Sequence, residues 1–274
     1  MTEHLLIIDP QNDFCDLPTT AWAMGVAPAL PVAGAHADMQ RLAALIRARG
    51  DALADITVTL DSHHRLDIAH PTFWAHGNGA AVAPFTPITA AEVRAGAFHP
   101  RDPASAARAL AYLDELESRG RYTLMVWPVH CEIGSWGHNV HADVRAAYNV
   151  WEEQHLRNVA LVTKGENPWT EHYSAIMAEV PDANDEHTQL NRALIERIAH
   201  ADSILIAGEA SSHCVRATTE HIVANLPGGR PGRIVLLTDC MSPVGGFETQ
   251  HAAFLADMES RGARLVRSSE LTAL

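Results

Sequence analysis

The sequence predicts an α/β fold built on a doubly wound, mostly parallel six-stranded sheet with helices on both faces. Two observations predict it. Short runs rich in Val, Ile and Leu recur without polar alternation, as strands buried on both faces require. Amphipathic segments of helical length separate them. Right-handed crossovers wind such units into a layered sandwich. With 274 residues, 47% of them apolar, the chain suffices for one such domain with a well-buried core. A single domain over 1–274 is the expectation.

In chain order, strands are expected at Leu5–Ile8, Ile56–Leu60, Leu124–Val126, Val159–Thr163, Ile204–Ala207, Ile234–Thr238 and Arg264–Val266. Helices are expected near 33–49, 103–119, 139–155, 185–200, 213–225 and 247–261. The stretch 74–101 breaks the alternation with Gly77, Gly79, Pro84, Pro87, Gly96 and Pro100, leaving room for a short helix at 89–95. Together with the helix near 103–119 it reads as an insertion at about 75–121. Its length suits a lid, a binding loop or an oligomer contact.

A formal net charge of -13 repels phosphate backbones and anionic membranes, so neither nucleic acid nor membrane is an expected partner. No run reaches transmembrane length. The start MTEHLLIIDPQ has neither a basic n-region nor the apolar run of a signal peptide. A cytoplasmic setting is therefore expected, with Cys15, Cys131, Cys214 and Cys240 as free thiols. Lys164 is the only lysine, all other positive side chains being arginine. A compact ammonium retained in such a chain marks a place where a planar fork cannot serve, or a chance survivor on the surface.

Ligands in open α/β sheets sit beyond the carboxyl ends of the strands. The residues there are Asp9, Asp61, Trp127-Pro128-Val129-His130, Lys164, Gly208-Glu209-Ala210 and Asp239. Cys214 follows the fifth strand at the start of a helix, where free N–H groups and the macrodipole favour a thiolate and can hold an oxyanion. Asp9 ends the first strand and can serve as its base, and Lys164 can supply the charge between them. The bland alternatives are a buried small thiol, a turn-forming Asp in Asp-Pro and a solvated lysine.

Asp61-Ser62-His63 places a carboxylate and an imidazole on one face of an extended segment, His70 follows seven residues later, and His130 closes the third strand. Such donors suit zinc, iron or manganese. With 17 histidines an Asp-x-His arises cheaply, and His64, His76, His138 and His141 are expected as plain surface residues.

Taken together, these blocks resemble the metal-containing nicotinamidase branch of the isochorismatase-like cysteine hydrolases. The blocks are Leu6–Phe14, Asp61-Ser62-His63 with His70 and Phe73, Trp127–Cys131, Lys164-Gly165 with Tyr173-Ser174, and Ser212–Thr218, in the family's order. The resemblance implies a Rossmann-like three-layer sandwich and a metal-assisted amidohydrolase of NAD salvage. Such an enzyme cleaves nicotinamide to nicotinate and ammonia through a thioester. It implies Asp9, Lys164 and Cys214 as the triad, and Asp61, His63, His130 and His70 around a divalent ion, zinc ahead of iron or manganese. It also implies a cis bond before Ala210, an oxyanion hole from the Ala210 and Cys214 amides, and a substrate pocket with Phe14, Trp127, Tyr173 and His213. The implied partner is a small carboxamide, and a homo-oligomer is left open. The connection from His63 to His130 is longer than the family pattern. A same-family amidase on another small carboxamide is therefore the main alternative. An isochorismatase-type hydrolase and a non-catalytic binding homologue come after it, since the former branch lacks the cysteine and the metal block.

Overall fold

In the computed structural model, which describes residues 2–228 and 231–272, ten strands and eight helices follow one another in chain order. They are β1 (Glu3–Ile8), α1 (Ala35–Arg49), β2 (Leu53–Asp61), β3 (Trp74–His76), β4 (Thr86–Ile88), α2 (Ala90–Arg94), β5 (Phe98–Pro100), α3 (Ala106–Ser118) and β6 (Leu124–Val126). Then come α4 (Ala142–His155), β7 (Ala160–Lys164), α5 (Arg192–Ala199), β8 (Ser203–Gly208), α6 (Cys214–Asn225), β9 (Ile234–Leu237), α7 (Glu248–Ser260), β10 (Arg264–Val266) and α8 (Ser268–Thr272). Six strands form the central sheet in the order β10-β9-β8-β1-β2-β7, every pair parallel, with helices covering both faces. Leu5 to Ile8 of the central strand are all fully buried, so its unbroken apolar run is what a strand covered on both faces requires.

The helices follow from sequence periodicity. Met39, Leu42, Ala43 and Ile46 form the buried stripe of α1, which packs against α4 and α8. A capping box between Thr89 and Glu92 starts α2, and the Asn191 side chain caps α5.

The strand order places the site. From β1 the chain builds outward through β2 and β7, then returns to lay β8, β9 and β10 on the other side. The direction reverses between β1 and β8, and the crevice of a doubly wound sheet opens at that switch point. Asp9 follows β1 there, and Cys214 lies just beyond β8. Ile8 pairs with Gly208. At Gly208, with φ of +117°, a Cβ would fall 1.9 Å from the Ile8 carbonyl oxygen. Only glycine lets the strand leading to the nucleophile come this close.

One expectation is corrected. Leu124–Val126 is not the third strand of the parallel sheet; as β6 it pairs antiparallel with β4. The insertion supplies it a local partner, Thr86–Ile88. The insertion also pairs β3 with β5 antiparallel and packs α3 on α2 and β5. Two insertion residues touch loops of the site. The Phe85 ring lies edge-on to Trp127 at 5.9 Å, and the Tyr112 hydroxyl accepts from the Glu171 amide. Among the described residues none of 75–121 lines the pocket of Cys214, so this segment braces the pocket walls. Among the described residues no helix is long and apolar enough to cross a membrane.

Candidate active site

β2 and β7 pair so that Asp61 and Lys164 are register partners, while β1, on the other side of β2, delivers Asp9 on the same carboxyl edge. Lys164 Nζ lies 2.9 Å from Asp9 Oδ2 and 2.8 Å from Asp61 Oδ1. It also donates to Cys214 Sγ at 3.6 Å, and the thiol faces the Asp9 carboxyl as well. All four groups are buried.

Burial dominates the electrostatics. It pushes the Asp9 carboxyl up, against the pull of the Lys164 ammonium. It pushes the Cys214 thiol well up, again opposed by Lys164. Burial works against the lysine's charge too, but Asp61 and Asp9 overcome it and hold the ammonium protonated well above its usual range. A carboxyl with raised proton affinity beside a thiol is suited to take and return a proton. Thr59 tunes that carboxyl, its hydroxyl donating to Asp9 Oδ1 at 2.5 Å.

Beyond the thiol, the Glu209–Ala210 peptide bond is cis, as the resemblance implied. The Ala210 and Cys214 amides meet no hydrogen-bond acceptor among the described residues. Cys214 opens α6, so its amide is one of the free donors of a helix start.

His63, His70 and His130, all buried, bring ring nitrogens within 4.8 Å of one another. Asp61 completes the group, with Oδ2 3.1 Å from His63 Nε2 and 3.4 Å from His130 Nε2. His130 Nδ1 faces the Pro128 carbonyl at 2.8 Å and His63 Nδ1 faces Asp67 Oδ2 at 3.1 Å. A carbonyl or carboxylate there selects the tautomer that carries its proton on Nδ1. Two Nε2 lone pairs then converge on a carboxylate oxygen, an arrangement stable only with a proton or a cation between them. The donor set, three imidazoles and one carboxylate with outer partners on two rings, fits a divalent transition metal.

The candidate pocket is lined by Phe14, Trp127, Tyr173, His213, Ala210 and Cys214, with Asp61, His130 and Glu171 also in its wall. Trp127 Nε1 donates to the Tyr173 hydroxyl at 3.1 Å, and its ring meets His213 edge-on at 5.1 Å. His213 is held neutral, burial lowering it to about 4. Every site residue expected from the sequence is therefore in or beside one cleft. A larger cavity of about 590 Å³ lies against α4 and carries His36, His138 and His141. It holds no nucleophile, so chemistry favours the narrower cleft.

Several participants carried no role in the sequence reading. Gln11 exchanges hydrogen bonds with the Asp61 backbone, donating to its carbonyl at 2.8 Å and accepting from its amide at 2.7 Å. Asp13 accepts from the Cys131 amide at 2.7 Å. Thr59, Asp67 and Glu171 join them. The signal was a polar run straight after an apolar strand, and a Thr two residues before Asp61 inside one. The expectation for His138 and His141 is also corrected. His141 is buried and bonds His36 across 2.8 Å, and half-buried His138 bonds Ser62 Oγ across 2.8 Å. His64 is exposed, as expected, and His76 is half-buried against Phe98. Asp239 takes no part in the site; it accepts from Ser268 and holds the start of α8.

No family model and no curated protein matches the sequence. Solved structures do. The nicotinamidase pyrazinamidase of Acinetobacter baumanii superposes with a TM-score of 0.63 at 18% identity, over 98% of this chain and 97% of that one. The yeast nicotinamidase bound to the inhibitor nicotinaldehyde gives 0.65 at 19%, over 97% and 99%. The pyrazinamidase of Pyrococcus horikoshii in complex with zinc gives 0.54 at 20%, over 97% and 98%. Over essentially its whole length, this chain has the isochorismatase-like α/β fold of these nicotinamidases and pyrazinamidases.

Proposed function

We propose that this chain is a cysteine amidohydrolase that cleaves nicotinamide, or a near carboxamide analogue, to the acid and ammonia. The observation that carries the reading is the junction of Lys164 Nζ with Asp9, Asp61 and Cys214 Sγ at the floor of an aromatic pocket beside a histidine cluster. The shared fold with nicotinamidases supports it.

In this reading Asp9 takes the Cys214 proton as the sulfur attacks the carboxamide carbon. Lys164 stabilises the developing thiolate and keeps Asp9 in place. The Ala210 and Cys214 amides receive the oxyanion. The C–N bond breaks as Asp9 returns the proton to the nitrogen, and ammonia leaves a thioester. Asp9 then takes a proton from water, which attacks the thioester carbon. The acid departs and the thiol regains its proton. Phe14 and Trp127 hold a flat ring between them, with Tyr173 and His213 fixing the tryptophan. Asp61, His63, His130 and His70 would hold a divalent ion, zinc ahead of iron or manganese. When bound, that ion would supply a Lewis acid beside the aromatic pocket.

A second reading, the same chemistry on another small carboxamide, draws support from Glu171. This carboxyl lies in the pocket wall and burial raises it to about 7, so it offers a hydrogen-bond partner to a substrate group other than a bare ring. Ammonia release from nicotinamide by the purified protein, with Cys214→Ala as control, decides. Turnover lost in the variant supports the first reading. Absence of turnover with nicotinamide, but turnover with other small carboxamides, supports the second. No thiol-dependent amide cleavage at all would overturn both.

A further inference from the structure

We propose that Lys164 sets the metal affinity of the histidine cluster, by competing with the ion for the Asp61 carboxylate. The inference rests on the reading of Asp61, His63, His70 and His130 as a metal site.

The two oxygens of Asp61 face different partners. Oδ1 is 2.8 Å from Lys164 Nζ, while Oδ2 faces His63 Nε2 at 3.1 Å and His130 Nε2 at 3.4 Å. The division is built into the sheet. Asp61 and Lys164 are register partners on β2 and β7, and the Ser62 amide donates to the Lys164 carbonyl at 2.8 Å. Gly165 follows with φ of +86°; a Cβ there would lie 3.0 Å from Asp61 Oδ1 and 3.3 Å from His63 Cε1. The chain thus passes close behind the carboxylate and holds it in this orientation. An ion at the cluster has a single Asp61 oxygen to itself.

Asp61 and Lys164 are only 4% and 3% exposed, so solvent screens their attraction little. Charge that Asp61 shares with the ammonium is charge it cannot give fully to an ion. Asp9 moderates this competition because it neutralises the same ammonium, at 2.9 Å. Removing the lysine's charge frees Asp61 for the ion. Removing the Asp9 charge turns the ammonium wholly onto Asp61. The two substitutions act on metal affinity with opposite signs. By linkage, an ion in the cluster weakens the attraction between Asp61 and the ammonium, and so ties the state of the metal site to that of the thiol beside Lys164.

The test is zinc affinity of the full chain, stripped with a chelator and titrated at pH 8 against a chromophoric competitor. Lys164→Gln keeps a donor toward Asp61 without the charge, and about tenfold tighter binding is expected. For Asp9→Asn, about three- to tenfold weaker binding is expected. Circular dichroism checks that each variant is folded. Equal or weaker affinity in folded Lys164→Gln overturns the proposal. Should that variant not fold, unchanged or tighter binding in Asp9→Asn overturns it instead. Wild-type protein that takes up no zinc, iron or manganese overturns the metal reading itself, an outcome distinct from both.

Discussion

The Lys164 ammonium lies 3.6 Å from Cys214 Sγ, and this contact uses the only lysine in the chain. The same nitrogen meets two carboxylates, so it sits among three groups in a buried space. A guanidinium has the same charge but is larger, planar and forked. Lys164→Arg is expected to lower kcat/KM on the amide substrate by about 100-fold or more, the loss of a group acting in the transition state. Near-native turnover in steady-state kinetics would remove the lysine from its assigned role.

Asp9 must be ionised to take the thiol proton, so activity falls as pH drops through its folded-state pKa. Burial raises that value above the ordinary carboxylate range, with Lys164 opposing. The Thr59 hydroxyl donates to Oδ1 at 2.5 Å and favours the ionised form. Thr59→Val removes this donor, which raises the Asp9 pKa further. The acid limb of the kcat/KM profile should move to higher pH by roughly 1 pH unit, with the plateau rate less affected. An acid limb that stays in place or moves down would show that Asp9 is not the group being titrated.

Much of this site was legible because each key residue closes or follows a buried apolar run. Asp9 and Lys164 were found by that rule, and Cys214 by the strand-turn-helix around it. The failures share a cause: tertiary partners that no local pattern announces. Leu124–Val126 has the composition of a core strand, yet its partner is Thr86–Ile88 of the insertion. His141 is a surface residue by composition, but it caps α4 through its side chain and bonds His36. Glu171 sits in a polar stretch without periodicity, and only the fold turns it into the pocket wall. Asp67 lies four residues after His63 in a loop, where spacing alone does not bring side chains together.

The contribution of Glu179 to stability should fall with rising pH. Glu179 is 3% exposed, and burial raises its carboxyl to about 7, with Arg121 opposing. The folded state thus holds this proton more tightly than the unfolded chain. Its stabilisation is fully present below the ordinary glutamate value of 4.5 and is lost as pH rises through about 7. Glu179→Gln mimics the protonated form and should raise unfolding free energy at pH 8 by up to about 3 kcal/mol. At pH 4 it should change little. Glu171, also raised to about 7 by burial, leaves part of the slope in place. Urea unfolding of both proteins at the two pH values checks the sign, and an unchanged slope between them would refute it.

Asp67 aligns the metal cluster from behind. Its Oδ2 lies 3.1 Å from His63 Nδ1, while its Oδ1 accepts from the Ala69 amide at 2.8 Å. This fixes the ring so that Nε2 points at Asp61 Oδ2. The carboxylate also makes the imidazole a stronger donor to an ion. Asp67→Asn keeps the size and one hydrogen-bonding oxygen but removes the charge. Metal affinity should drop about 10- to 100-fold, the usual effect of such outer partners. Substrate KM should rise in proportion at limiting metal and recover when metal is added in excess. A chelator should produce the same rise in KM in the wild type, with a smaller effect on the unfolding midpoint. Chelation that leaves the kinetics of the wild type intact, or Asp67→Asn kinetics indifferent to added metal, would mean that the histidines hold no working ion.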